Sequence, residues 1–261
     1  MLKALWTSAA GMAVQQVNLD VISNNLANVN TSGFKKVRPE FQDLLYQTLN
    51  APGSNTTTTT TSPNGIQVGL GAKLVSTNRT FAQGSLRNTG RPLDWAISGM
   101  GFFEVTMPDG SPAYTRDGSF TLDQNGNVVT SAGFQLNPAI AIPQGTVGIS
   151  MGRDGTVSVD LGDGVPQNVG QVQLANFTNP SGLKALGDNL FQVTQASGDA
   201  VAGAPGDQGF GTIEPTFLEA SNVDIAEEMV NMIIGQRAYE AISRSIRTAD
   251  QVLQEINSLK R

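Results

Sequence analysis

The residues whose types could do chemistry are carboxylates. Asp94, Glu104, Asp109 and Asp117 fall in one short stretch, and two of them flanking a glycosidic bond would serve as acid and base or nucleophile. Sequence spacing does not fix their separation, and their neighbours read as turns and solvated surface. Asp123-Gln124-Asn125-Gly126-Asn127 offers oxygen ligands at alternate positions, as a calcium loop begins. Val128 stands where that loop needs Gly, and Phe134 where it needs a bidentate Glu, so a hairpin turn is expected. Gly69-Leu70-Gly71-Ala72-Lys73 lacks the spacing and the following Ser or Thr of a phosphate loop. The chain has no Cys and no His, which removes thiolate nucleophiles, disulfides, structural zinc and the commonest general base. A Ser–Lys or two-carboxylate enzyme survives that exclusion. No catalytic, cofactor-binding or metal-binding residue is assigned, and the chain is not expected to be an enzyme.

The elements that must position these residues point to assembly. Both ends carry amphipathic runs with apolar or small residues at alternating three- and four-residue steps. The first passes through Leu2, Leu5, Ala9, Met12, Gln16, Leu19, Ser23 and Leu26, and the second through Met232, Gly235, Tyr239, Ile242, Ile246, Ala249, Leu253 and Ile256. So narrow a seam fits one or two partner helices and not the broad core of a globule. Periodicity alone leaves open whether the partner is the other end of the same chain or another copy.

The first helix is predicted from about Leu2 to Leu26, ending in Asn- and Gly-rich sequence that accepts left-handed backbone. The last is predicted to begin near Val223, with Ser221 or Asn222 as cap, Asp224, Glu227 and Glu228 in its first turns, and Lys260-Arg261 at its end. Phe41 to Tyr46 reads as a short strand or a short helix. Residues 50–64, with six consecutive Thr, read as a tether or as a β-prone arm ordered against neighbours. From Gly84 to about Thr216, Asp109-Gly110, Asp117-Gly118, Asn125-Gly126, Asp154-Gly155 and Asp163-Gly164 punctuate short strands and signal hairpins.

The predicted class is α+β: N- and C-terminal coiled-coil-forming helices flanking an antiparallel β-rich domain, with an extended linker. The expected segments are a helix in 1–30, a connector in 31–83, a β domain in 84–218 and a helix in 219–261.

A net charge of −6 argues against nucleic acid, because phosphate is bound by clustered Lys and Arg. The cluster Lys35, Lys36, Arg38 is read as a solvated loop, with contact to an acidic neighbour as the alternative. No run of eighteen apolar residues exists to span a membrane, and Met1 to Thr7 is not expected to be a cleaved signal peptide.

Asn24-Asn25-Leu26-Ala27-Asn28-Val29-Asn30-Thr31-Ser32-Gly33-Phe34-Lys35 closely resembles the signature after the first helix of bacterial flagellar rod and hook proteins. Gly101-Phe102-Phe103, Tyr114 to Phe120, Ser221 to Asp224, Glu228 to Met232 and Gln236 to Tyr239 extend the likeness over the whole chain. The length, Asp43 to Thr48 and Pro52-Gly53 with its Thr-rich insertion resemble the distal-rod members; proximal rod or hook-type subunits are the alternative within the family. A wall-cleaving hydrolase with a carboxylate pair is the alternative outside it.

The resemblance implies a homopolymeric helical tube that crosses the periplasm to the outer-membrane ring, transmits motor torque to the hook and forms part of the export channel. It further implies uncleaved export by the flagellar type III apparatus, with proximal rod proteins, hook protein, rod cap and ring (bushing) proteins as partners, and no cofactor. Leu5, Met12, Leu19, Leu26, Met232, Tyr239, Ile242, Ile246, Leu253 and Ile256 become the assembly residues. Asn24, Asn25, Ala27, Asn28, Asn30, Thr31, Gly33, Phe34 and Lys35 become the family motif.

Overall fold

The computed structural model describes residues 2–51, 64–162 and 165–259. Two helices flank a body of antiparallel strands, an α+β arrangement. Helix α1 spans Leu2–Ala27 and helix α2 spans Ile225–Leu259. The cap of α2 is Asp224, two residues beyond Asn222, the later of the expected Ser221 and Asn222: its Oδ1 accepts from the Ala226 and Glu227 N–H groups at 2.8 and 3.2 Å. The Thr-rich run, Asp163-Gly164 and Lys260-Arg261 lie outside the described residues.

Two compact units form, divided differently from the four consecutive segments read in the sequence. The first comprises residues 1–26, 37–78 and 224–261, and the second residues 27–36 and 79–223. The expected connector therefore splits. Residues 31–36 join the β body, whereas 37–78 belong with the helices, and their described residues form strands: Val37–Asp43 beside Ala72–Arg79, and Tyr46–Asn50 antiparallel to Ile66–Gly69. Phe41 thus lies in a strand that ends at Asp43.

The body is built on a 9-stranded sheet. Phe102–Thr106 is its centre, pairing antiparallel with Pro112–Thr115, Gln135–Asn137 and Leu174–Asn176. A three-stranded sheet of Gly148–Met151, Thr156–Asp160 and Gln167–Gln171 packs with it around Trp95, Ile97, Phe103, Val105, Phe120, Leu136, Val157, Val159, Leu174 and Ile213. A second cluster joins Phe102, Tyr114, Phe177 and Phe191, whose rings meet edge to face.

Asp109-Gly110, Asn125-Gly126 and Asp154-Gly155 sit in hairpins, each Gly at positive φ. Asp117-Gly118 does not. The strands on either side of it pair with other strands, and a Cβ on Gly118 would stand 1.6 Å from the Trp95 carbonyl oxygen. That glycine permits a close approach of two backbones.

Candidate assembly site

The part of the motif from Asn28 to Lys35 is fixed to the body by a clasp. Asn28 starts the turn: its carbonyl accepts from the Thr31 N–H at 3.1 Å, and Thr31 Oγ1 donates to its side-chain oxygen at 3.1 Å. Gly33 follows at φ +70°, where a Cβ would lie 2.7 Å from the Arg116 carbonyl carbon and the Asp117 nitrogen. Its N–H donates to the Glu219 carbonyl at 2.8 Å, while Asn189 Nδ2 donates to the Ser32 carbonyl at 3.1 Å. Phe34 is buried, with the Arg79 guanidinium 6.0 Å from its ring centre and 5.1 Å from that of Phe191.

Lys35 overturns the expectation of a solvated loop. It is 0% exposed, its Nζ 2.6 Å from Glu219 Oε1 and 2.9 Å from the Ala82 carbonyl. Arg116 approaches the other Glu219 oxygen at 3.3 Å and donates to the Gly99 carbonyl at 2.7 Å. The Gly84 N–H completes the carboxylate's shell at 2.9 Å. Two cations thus share one buried anion. Burial pushes the Lys35 ammonium below its ordinary pKa, against the opposing pull of Glu219, and burial likewise lowers Arg116. Asn222 knits the margins: its Oδ1 accepts from the Lys36 N–H at 2.7 Å, and its Nδ2 donates to the Thr80 and Ala82 carbonyls. Ala27, Asn30 and Asn24 are exposed.

Among the seam residues, Leu5, Met12, Leu19 and Leu26 of α1 are half-buried, while Ala9, Gln16 and Ser23 face outward. Ile22 and Asn25 are buried in their place. On α2, Met232, Ile242, Ile246 and Leu253 are half-buried and Gly235 is buried, whereas Tyr239 and Ile256 are exposed. Three contacts within the first unit define how the helices meet. Asn25 Nδ2 donates to Glu228 Oε2 at 3.3 Å; a Cβ on Gly235 would lie 2.9 Å from Leu19 Cδ2; and one on Gly11 would lie 3.5 Å from Ile242 Cδ1. Successive contacts move down α1 and up α2 by about one heptad, so the helices run antiparallel. The sequence places Asn25 in the family motif, Glu228 in the first turns of α2 and Arg116 in a matching block, but it joins neither Asn25 to Glu228 nor Arg116 to Glu219; the one signal for the first pair is an acid, Glu228, at heptad distance from Gly235.

The carboxylates considered for catalysis are engaged in turns or, for Glu104, across neighbouring strands. Asp109 accepts from the Ser111 N–H and Oγ, and these bonds hold it below the usual carboxylate range, opposite to the need of a general acid. Glu104 accepts from Asn137 Nδ2 at 2.6 Å, Asp117 from the Ser119 N–H, and buried Asp94 from Thr89 Oγ1. Asp123 is held low by hydrogen bonds from Asn127 and Asn125, with its oxygens occupied by the turn itself. Among the described residues no group of acidic side chains could hold a metal ion, and no helix is long and apolar enough to cross a membrane.

These carboxylates are committed to hydrogen bonds that hold the fold, the kind of role expected in a structural protein. Residues 5–35 match the family described as flagella basal body rod protein, residues 96–159 the flagellar hook protein FlgE/F/G D1 domain, and residues 214–259 the flagellar basal body rod FlgEFG protein C-terminal family. The chain is 51% identical over 260 residues to the flagellar basal-body rod protein FlgG of Buchnera aphidicola subsp. Schizaphis graminum, covering 99% of this chain and 100% of that one. To FlgG of Borreliella burgdorferi it is 49% identical over 264 residues, covering both chains completely. The flagellar hook protein FlgE of Salmonella typhimurium is 26% identical over 416 residues, with 97% of this chain and 99% of that one covered. The chain belongs to the flagellar basal-body rod protein family. It is a structural subunit of the distal-rod type, located in the flagellar basal body and assembling there with other flagellar components.

Proposed function

We propose that the chain polymerises through its first unit into a rigid helical tube, with α1 and α2 as coiled-coil-forming axial helices. The observation that supports this most directly is the missing core of that unit. Among the described residues, Ile22 is its one buried hydrophobic side chain, while Trp6 is 77% exposed, Leu45 is 85% exposed, and Tyr46, Leu49, Ile66, Val68, Leu74 and Val75 are exposed on its strands. A second apolar face on α2, formed by Ile225, Met229, Val230, Ile233 and Ile234, is exposed as well. Such a unit cannot offset its own chain entropy, and two-stranded ribbons are marginal alone. Neighbouring copies would supply what is absent.

The assembled tube would transmit motor torque to the hook and form part of the export channel, extending through the periplasm to the outer-membrane ring. Proximal rod proteins, hook protein, rod cap and ring proteins would be its partners, after export by the type III apparatus without a cleaved signal. Electron microscopy of purified protein at rising concentration tests the reading. Tubes of constant diameter are expected, and they should vanish when either terminal helix is removed; tubes that persist without α1 or α2 would overturn the axial role of the helices.

A further inference from the structure

We propose that the buried pair Asn25–Glu228 determines which antiparallel register α1 and α2 adopt. The inference deepens the assembly reading and rests on it for its consequence, since a tube needs every subunit to present the same paired helices.

Both residues are about 1% exposed, the only charged or amide side chains so deeply buried among the described residues of the first unit. Asn25 is pre-set: its Nδ2 donates to the Val37 carbonyl at 2.8 Å and its Oδ1 accepts from the Val37 N–H at 3.0 Å. The strand Val37–Asp43 thus orients the amide before α2 is considered, leaving Nδ2 free to reach Glu228 Oε2 at 3.3 Å. One heptad along, the missing side chain of Gly235 receives Leu19, and a further heptad along Gly11 receives Ile242.

The apolar rows do not choose among registers. Sliding α2 by one heptad in one direction would set Ile242 against Leu19, an apolar contact that the flexible end of Leu19 must shift to accept, and would leave other seam rows apolar. The same slide in one direction carries Glu228 beyond the end of α1, and in the other sets its carboxylate against Leu19 with no amide to receive it. A buried carboxylate without a partner is strongly disfavoured, and a buried polar pair is a well-attested way to fix register.

The absence of Cys makes disulfide trapping clean. Gly11→Cys with Ile242→Cys reports the observed register, and Ala4→Cys with Ile242→Cys the register one heptad away in which Glu228 faces Leu19. In the full-length native background only the first pair should close within a chain. In Glu228→Leu the apolar rows still hold the helices together, so the shifted bond should rise by roughly tenfold or more; Glu228→Gln, which keeps an acceptor for Asn25, should stay in the native register. A Glu228→Leu protein that closes only the native pair, or that closes neither, would overturn the proposal. Tube formation, scored separately by microscopy, reports the assembly reading: loss of tubes with native cross-links counts against that reading and not against the register.

Discussion

A lysine ammonium without solvent contact makes the β body depend on one carboxylate. Glu219→Gln keeps the shape of the side chain but leaves Lys35 and Arg116 buried without a counter-charge, and should cost about 3–5 kcal/mol in denaturant unfolding of the body. Lys35→Met should cost much less, because Arg116 and the Gly84 N–H still hold Glu219. If the two substitutions cost the same, the clasp is packing and not charge. The pH dependence has a definite sign. The folded pKa of Lys35 lies below its ordinary 10.5, so the folded state binds fewer protons than the unfolded chain in the interval between. Stability from this group therefore rises with pH toward 10.5, and Lys35→Met should flatten that rise. Tyr114 works in the other direction from about pH 9 upward, as the unfolded phenol begins to ionise, because burial and Glu104 push its folded phenol up to about 12. Titrations confined below about 9 leave the tyrosine out. Thr216 adds a separate test: a β-branched residue at φ 65°, its carbonyl accepting from the Thr89 N–H and Oγ1, is strained in the left-handed region. Thr216→Asn should stabilise the body by about 1 kcal/mol, read as a raised denaturation midpoint.

At the scale of elements, α2 is specified locally and α1 less so. Asp224→Ala removes a cap that bonds two first-turn N–H groups and should cost about 1 kcal/mol of helix stability, seen as a lower melting point of the helical signal. Leu19→Asp sets a charge against the Gly235 notch and should abolish polymerisation while the near-ultraviolet signal of buried Trp95 persists. Normal tubes from Leu19→Asp would refute the seam. Periodicity and turn chemistry made both helices and three hairpins legible, because each depends on residues a few positions apart. What was not legible depends on distance. Lys35 looks solvated beside Lys36 and Arg38 until Glu219, 184 residues away, is brought to it. Gly118 looks like a hairpin glycine until the Trp95 carbonyl crosses over it. The outward turn of Ala9, Gln16 and Ser23 was hidden for the same reason, since Asn25 reads as a helix-ending amide until Val37 and Glu228 draw it inside.

At the scale of the whole molecule, the two units differ in what they can sustain alone. The β body owns both hydrophobic clusters, whereas the first unit holds α1 and α2 and buries Ile22 alone among its described hydrophobic side chains. A heptad seam with so little buried area cannot offset the entropy of ordering two long helices, so the helices of the free subunit should be only partly formed and complete themselves on assembly. The chain provides a reporter for each unit, because its two tryptophans fall on opposite sides of this division. Trp95 is fully buried in the body, while Trp6 is 77% exposed on α1. In a Trp95→Phe protein the remaining fluorescence belongs to Trp6, and it should move to shorter wavelength on polymerisation as neighbouring chains cover the ring. In a Trp6→Phe protein the emission of Trp95 should stay unchanged through the same transition. Far-ultraviolet circular dichroism should show helicity rising in step with the Trp6 shift. Equal helicity in free subunit and tube, with Trp6 already shielded in the monomer, would mean that the first unit folds without neighbours, and the link between folding and assembly would then be lost.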